Sequence, residues 1–193
     1  MEPILRVSRL HVRLDGRDIF RDLSFKLHEN ETLVVLGPNG CGKTVLLQAL
    51  LGLLPYQGEV LWRPGLKIGY VPQRVPLNRE LPITVEDFFR LKKVSSHDAA
   101  EALQKVGLTE SKFSGKQLGI LSSGQFQRLL IAWALVSLPD VLLFDEPTAG
   151  IDIGGEETIH TLLKKMQSER RLAVILVTHD LSAVYSGHPT CFA

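Results

Sequence analysis

Cysteine is scarce in this chain: two in 193 residues, Cys41 and Cys191, almost the whole sequence apart. So few thiols build no disulfide framework, which points to a reducing compartment. Long apolar runs are missing as well. No segment reaches the roughly 18 consecutive apolar residues that would cross a bilayer as a helix, and Met1-Glu2-Pro3-Ile4-Leu5-Arg6 has no signal-peptide core. A role at a membrane would therefore run through a partner. Neither sign of charge dominates: 22 basic and 21 acidic residues leave a net charge of +1. No basic face is advertised, and nucleic acid is not expected as a partner. The two cysteines and six histidines show no ligand-like cluster, so no metal bound by a set of such ligands is expected. The chain does have apolar mass, 45% of its residues, enough to bury a full core in a single domain over residues 1–193.

The most informative segment is Gly37-Pro38-Asn39-Gly40-Cys41-Gly42-Lys43-Thr44. It lies between a short β-branched apolar run, residues 32–36, and a helical pattern over residues 45–51. Glycines let the backbone turn and bring successive N–H groups to the β- and γ-phosphates of a nucleotide, while the helix N-terminus adds partial positive charge. Lys43 can reach the terminal phosphates, and the Thr44 hydroxyl can ligate Mg²⁺.

Around this loop the pattern is α/β. Residues 4–12 and 19–27 read as strands joined at Asp15-Gly16, and residues 59–62 and 67–71 as short strands. Residues 84–106 read as helices, with Thr84 as an N-cap and Asp87 three residues on. Helix, buried strand, helix and buried strand follow over residues 124–136, 141–144, 155–166 and 173–177. A helical insertion therefore divides two halves of an α/β core. The strand Val141-Leu142-Leu143-Phe144 ends in Asp145-Glu146. Ligands in open α/β sheets bind at the carboxyl ends of strands. Strand alternation would send the two carboxylates in opposite directions, Asp145 to the Mg²⁺ and Glu146 to the attacking water.

Leu121-Ser122-Ser123-Gly124-Gln125 opens the helix over residues 124–136. Together with the phosphate loop, Tyr70-Val71-Pro72-Gln73, Asp145-Glu146, Thr148-Ala149-Gly150-Ile151-Asp152 and Val177-Thr178-His179-Asp180, it resembles the nucleotide-binding subunit of ATP-binding-cassette (ABC) transporters. The resemblance implies a P-loop NTPase core of mostly parallel sheet, an N-terminal antiparallel β subdomain and an inserted helical subdomain at about residues 74–136. It implies binding and hydrolysis of ATP with Mg²⁺ held by Thr44, Gln73 and Asp145, and catalysis by Glu146, His179, Gln73 and Lys43. ATP would contact residues 37–44, with Leu14 at adenine. A second subunit, head to tail, would present Ser122, Ser123, Gly124 and Gln125 to the γ-phosphate, with Asp152 at the interface. The partners implied are an integral membrane permease and, indirectly, an extracytoplasmic substrate-binding protein. The subunit would then be cytoplasmic, peripheral on the inner face of the membrane. Residues 68–89 look like the zinc and manganese import ATPases, where Leu77, Leu81, Phe88 and Phe89 would line a groove for the permease or simply form core.

Four features depart from the family pattern. Leu14 stands where an aromatic is usual, Ser123 replaces a glycine, and Trp133 replaces an arginine. Residues 186–193 do not resemble the apolar strand expected there, so the C-terminal end reads as truncated or divergent. Two other classes stay open: a soluble non-transport ABC ATPase, and a degenerate cassette acting as a nucleotide-dependent regulatory module.

Overall fold

The computed structural model describes residues 2–73, 75, 80, 82–109, 113–146, 151–178 and 189–192, with backbone alone for residues 153 and 189–192. Strands β1 (Leu5–Leu14) and β2 (Arg17–Leu27) form an antiparallel hairpin, completed on the other side of β1 by β4 (Gln57–Trp62). The turn works because Asp15 and Gly16 both take positive φ, 48° and 78°, the twist a two-residue hairpin needs. Register slips near Arg9 and Asp22, also at positive φ, add bulges.

The second sheet is parallel, in the order β5-β6-β7-β3-β8. Its members are β3 (Thr32–Leu36), β5 (Ile68–Val71), β6 (Val141–Asp145), β7 (Ala173–Thr178) and β8 (Pro189–Phe192). Every residue of β6 is buried, because both faces of the sheet are covered. Val141, Leu143, Ala173, Ile175 and Val177 pack toward helix α1 (Lys43–Leu50) and the antiparallel sheet. Leu142, Phe144 and Val174 pack the other way, against α3 (Ser96–Lys105), α4 (Ser123–Leu135) and α5 (Ile153–Arg170). On this second side too is α2 (Val85–Arg90), whose Thr84 hydroxyl accepts from Asp87 N while the Asp87 carboxylate accepts from Thr84 N.

Residues 186–193 carried no strand signal, yet Pro189–Phe192 pairs in parallel with β3, from Thr32↔Pro189 to Val35↔Phe192. A proline is tolerated because β8 is an edge strand and the proline is its first residue. Such a strand is specified by its neighbour's free backbone groups more than by its own composition.

The parallel register brings the chemistry together. Leu36 is level with Thr178, Val177 with Asp145, and Phe144 with Val71. The strand ends that lead into Gly37, Gln73, Glu146 and His179 therefore share one edge of the sheet.

Candidate nucleotide site

Two glycines of the loop after β3, Gly37 and Gly42, stand where a side chain would displace a neighbour. Gly42, the N-cap of α1, has φ +100°, and a Cβ there would sit 2.4 Å from Ile19 Cγ2 and 3.3 Å from Phe20 Cζ of β2. A Cβ on Gly37 would lie 2.6 Å from Cys41 Sγ. Strand β2 thus presses on the loop from one side. The bare backbone of the loop stays close to whatever it holds.

Lys43 is 6% exposed, an unusual burial for a lysine. Its Nζ donates to Gly37 O at 2.8 Å and Pro38 O at 3.1 Å, and lies 3.4 Å from Glu146 Oε1. Gln73 Nε2 donates to Glu146 Oε2 at 2.7 Å. The Thr44 side chain hydrogen-bonds the Asp145 carboxylate. Burial pushes the Asp145 carboxyl up from its ordinary range, opposed by the Thr44 hydrogen bond and reinforced by the charge of Glu146. Burial also pushes the Tyr70 phenol, on β5, to about 12, with the Asp145 charge adding to it.

The expected alternation of the two carboxylates does not hold. Strand β6 ends at Asp145, and Glu146 takes φ 51°, with its N–H donating to Val177 O at 2.9 Å. Once the backbone enters the left-handed region, the pleat no longer dictates direction. Both carboxylates turn to the phosphate loop, Asp145 through Thr44 and Glu146 through Lys43. Such a cluster holds two buried acids against one lysine, and a divalent cation would relieve their repulsion.

Ser122 is the N-cap of α4. Its hydroxyl accepts from Gln125 N at 3.2 Å, and Gln125 Oε1 accepts from Ser122 N at 3.1 Å. This capping box fixes the helix start, while Ser122 and Ser123 stay exposed and Gly124 half-exposed. Ile120, just before it, is 69% exposed. Leu14, at the end of β1 opposite Arg17, is half-buried against the core that the antiparallel sheet shares with α1. His179, Thr148, Ala149 and Gly150 lie outside the described residues, as do Leu77 and Leu81.

Of the two phenylalanines expected to line a docking groove or to form core, Phe89 is core at 1% exposure. Phe88 stacks on Trp133 with ring centroids 5.0 Å apart. The substituted Trp133 has therefore acquired partners that sequence reading did not find. Its indole donates to Phe88 O at 3.1 Å, and Lys92 Nζ sits 3.8 Å from its ring centroid while donating to Trp133 O at 2.7 Å. Lys92, in the turn after α2, thus sets a cation on the face of the Trp133 ring.

No ligand-like cluster was expected, but His97, Asp98 and Glu101 at the start of α3 bring ligand atoms within 4.8 Å of one another. All three are exposed, Asp98 is engaged by Ser95 and Glu101 by Lys105 at 2.7 Å. Helix capping and an i,i+4 pair account for them. Among the described residues no helix is long and apolar enough to cross a membrane.

Comparison with known proteins agrees with this geometry. The family model described as ABC transporter matches residues 20–149. The zinc import ATP-binding protein ZnuC 1 of Hahella chejuensis is 41% identical over 187 residues, covering 96% of this chain and 72% of that protein. The zinc import ATP-binding protein ZnuC of Cereibacter sphaeroides is 42% identical over 186 residues, covering 95% of this chain and 76% of that protein. Among solved structures, an inward-facing ABC transporter of the metal-chelate type superposes with a TM-score of 0.80 at 31% identity, covering 96% of this chain and 77% of that one. An ATP-bound bacterial Atm1-family exporter reaches a TM-score of 0.86 over 99% of this chain and 37% of its own, at 22% identity, a likeness of fold alone. The phosphate loop, the paired carboxylates and a match over most of the sequence lead to one conclusion: this chain belongs to the ABC transporter family, as an ATP-binding subunit that hydrolyses ATP to power transport.

Proposed function

We propose that the chain energises import of a divalent metal ion, zinc before manganese, as one of two identical subunits joined head to tail beneath a membrane permease. The observation that carries the catalytic part is the convergence of Lys43, Gln73 and Glu146 at one sheet edge, beside Thr44 and Asp145. The cargo rests on the zinc import named for relatives at 41% and 42% identity, which also favours transport over a soluble ATPase.

In this reading residues 37–44 cradle the phosphates of ATP, and Lys43 exchanges its carbonyl and Glu146 contacts for phosphate oxygens. Mg²⁺ would be held by Thr44, Asp145 and Gln73, and would supply positive charge against the phosphates of the nucleotide. Glu146 accepts a hydrogen bond from the attacking water and takes its proton as the water oxygen bonds to the γ-phosphorus and the bond to ADP breaks. His179 would hold that water and the γ-phosphate in line. Ser122 and Gly124 open α4 as an anion site and would serve the γ-phosphate of the partner's nucleotide, with exposed Ile120 alongside in the interface. An extracytoplasmic binding protein would deliver the cargo to the permease, leaving this subunit on the cytoplasmic face.

The experiment is light scattering of the Glu146→Gln chain with and without MgATP. Association only in the presence of ATP is expected. A chain that binds ATP by calorimetry yet stays monomeric would overturn the paired site. For the cargo, stimulation of ATPase activity in the reconstituted permease complex by zinc-loaded binding protein is expected, and no response to zinc or manganese would overturn it.

A further inference from the structure

Gln127 is 5% exposed, on the helix that Ser122 caps, and among the described residues its Nε2 has no hydrogen-bond partner. A buried amide donor left unpaired loses its water and gains nothing in return, so interiors seldom keep one. Methionine or leucine would fill the same place without that cost. The chain nonetheless has glutamine here, and the catalytic contacts described above do not use it.

Helix and sheet together define where this amide sits. Helix α4 ends at Leu135, and the chain re-enters the sheet at Val141, level with Ile68 at the start of β5. The helix therefore runs against the strands, with its first turns toward the edge where Gln73 and Glu146 meet. Its last turn rests on β5: Ala134 O lies 3.3 Å from the point where a Cβ on Gly69 would sit. Gln127 precedes Ala134 by seven residues, two helical turns, so it faces the sheet along the same line, about 10 Å nearer the helix N-terminus. Between them, Leu130 and Ile131 share one core with Val71 and Phe144. A strand climbs about 3.3 Å per residue, and helical side chains lean toward the N-terminus, which brings the Gln127 amide level with Pro72 and Gln73.

That turn has acceptors to offer and no donors to spare. Pro72 has no N–H. The Gln73 backbone N–H donates to the Asp145 carboxylate, and its side-chain amide donates to Glu146 at 2.7 Å. What remains are main-chain carbonyls, which match an unpaired amide donor.

We propose that Gln127 is a positioning residue for Gln73, donating from Nε2 to a main-chain carbonyl of the Pro72-Gln73 turn once nucleotide draws Lys43 and Gln73 away from Glu146. The proposal rests on the reading of Gln73 as a ligand of Mg²⁺ given above. In the structure Glu146 anchors the turn through the Gln73 side chain and shares its carboxylate with Lys43. When Lys43 goes to phosphate and Gln73 to the cation, that anchor is lost, and the buried donor of α4 replaces it. Because Ser122 caps the helix that carries Gln127, the new bond ties the end of α4 facing the partner's γ-phosphate to the metal side of the chain's own site.

The test is Gln127→Met, which keeps the volume and removes the donor, made in the Glu146→Gln chain. Thermal unfolding without nucleotide is measured, and ATP affinity by calorimetry in EDTA and then with Mg²⁺. The variant should melt no lower than its parent and bind metal-free ATP equally well, since the donor has no partner to lose. Its affinity for MgATP should fall about three- to tenfold, the net worth of one hydrogen bond. In the Gln73→Ala background the substitution should cost nothing further, because a held turn without the Gln73 amide brings nothing to the cation. Gln127→Leu carries the test if the methionine variant fails to fold. A lower melting temperature without nucleotide, an equal loss of affinity with and without Mg²⁺, or an additive loss in the double variant would overturn the positioning role. A Gln73→Ala chain with undiminished MgATP affinity would overturn the reading of Gln73 itself, and this proposal with it.

Discussion

Gln73 and Glu146 are joined by a 2.7 Å hydrogen bond from amide nitrogen to carboxylate, across 73 residues of sequence. The same carboxylate lies 3.4 Å from Lys43 Nζ through its other oxygen. The segments that follow β3, β5 and β6 therefore meet on a single carboxylate, and its removal separates binding from chemistry.

Glu146→Gln keeps a polar group of the same shape but removes the base. Phosphate release should fall by about 10²- to 10⁴-fold, the usual contribution of general acid–base catalysis, with ATP affinity held. Comparable steady-state release by the two proteins would remove Glu146 from the catalytic role.

Gly42→Ala places a methyl 2.4 Å from Ile19 Cγ2 at a backbone φ of +100°. Both strain and crowding oppose it, so stability should drop by more than about 1 kcal/mol, and ATP affinity should drop with it as the loop shifts. Urea unfolding and calorimetry measure the two effects. An alanine variant with native stability would mean that β2 does not constrain the loop.

Trp133→Arg restores the residue usual in the family at this place but discards its present partners. The stack on Phe88 is lost, worth about 0.5–1.5 kcal/mol beyond buried area, and a second cation arrives beside Lys92. Burial already depresses the Lys92 ammonium. The variant should melt lower than the parent, and Lys92→Met should recover part of the loss in the Trp133→Arg background. Thermal unfolding of the three variants checks it; an additive result would show that the two cations do not meet.

Asp87 is held below the usual carboxylate range, first by the Thr84 hydroxyl and backbone, then by Arg90. A folded value below the unfolded 3.8 means that the ionised form favours the native state. Its contribution is therefore present above 3.8 and lost as pH falls through the folded value. Asp87→Asn should melt below the parent near neutrality, and the gap should close in the acid range below the ordinary carboxylate value. A gap constant across melts from neutral to acid pH would show that the Asp87 charge is not what stabilises α2.

The sequence by itself determined the phosphate loop, the paired carboxylates and the alternation of buried strands with helices, because each is a local pattern with a local cause. Glycines at fixed spacing, an apolar run ending in acids and a Thr–Asp cap need no distant partner to be read. The capping box of Ser122 and Gln125 is equally local, written in four consecutive residues. Tertiary structure alone decided the rest. Glu146 leaves the strand in a left-handed conformation under the hydrogen bond to Val177, so its direction could not be counted from strand alternation. Pro189–Phe192 becomes a strand because β3 has a free edge to pair, and Trp133 finds Phe88 on α2 and Lys92 in the turn after it, each more than 40 residues away. In each of these cases the deciding contact is long-range, and no window of local sequence contains both of its partners.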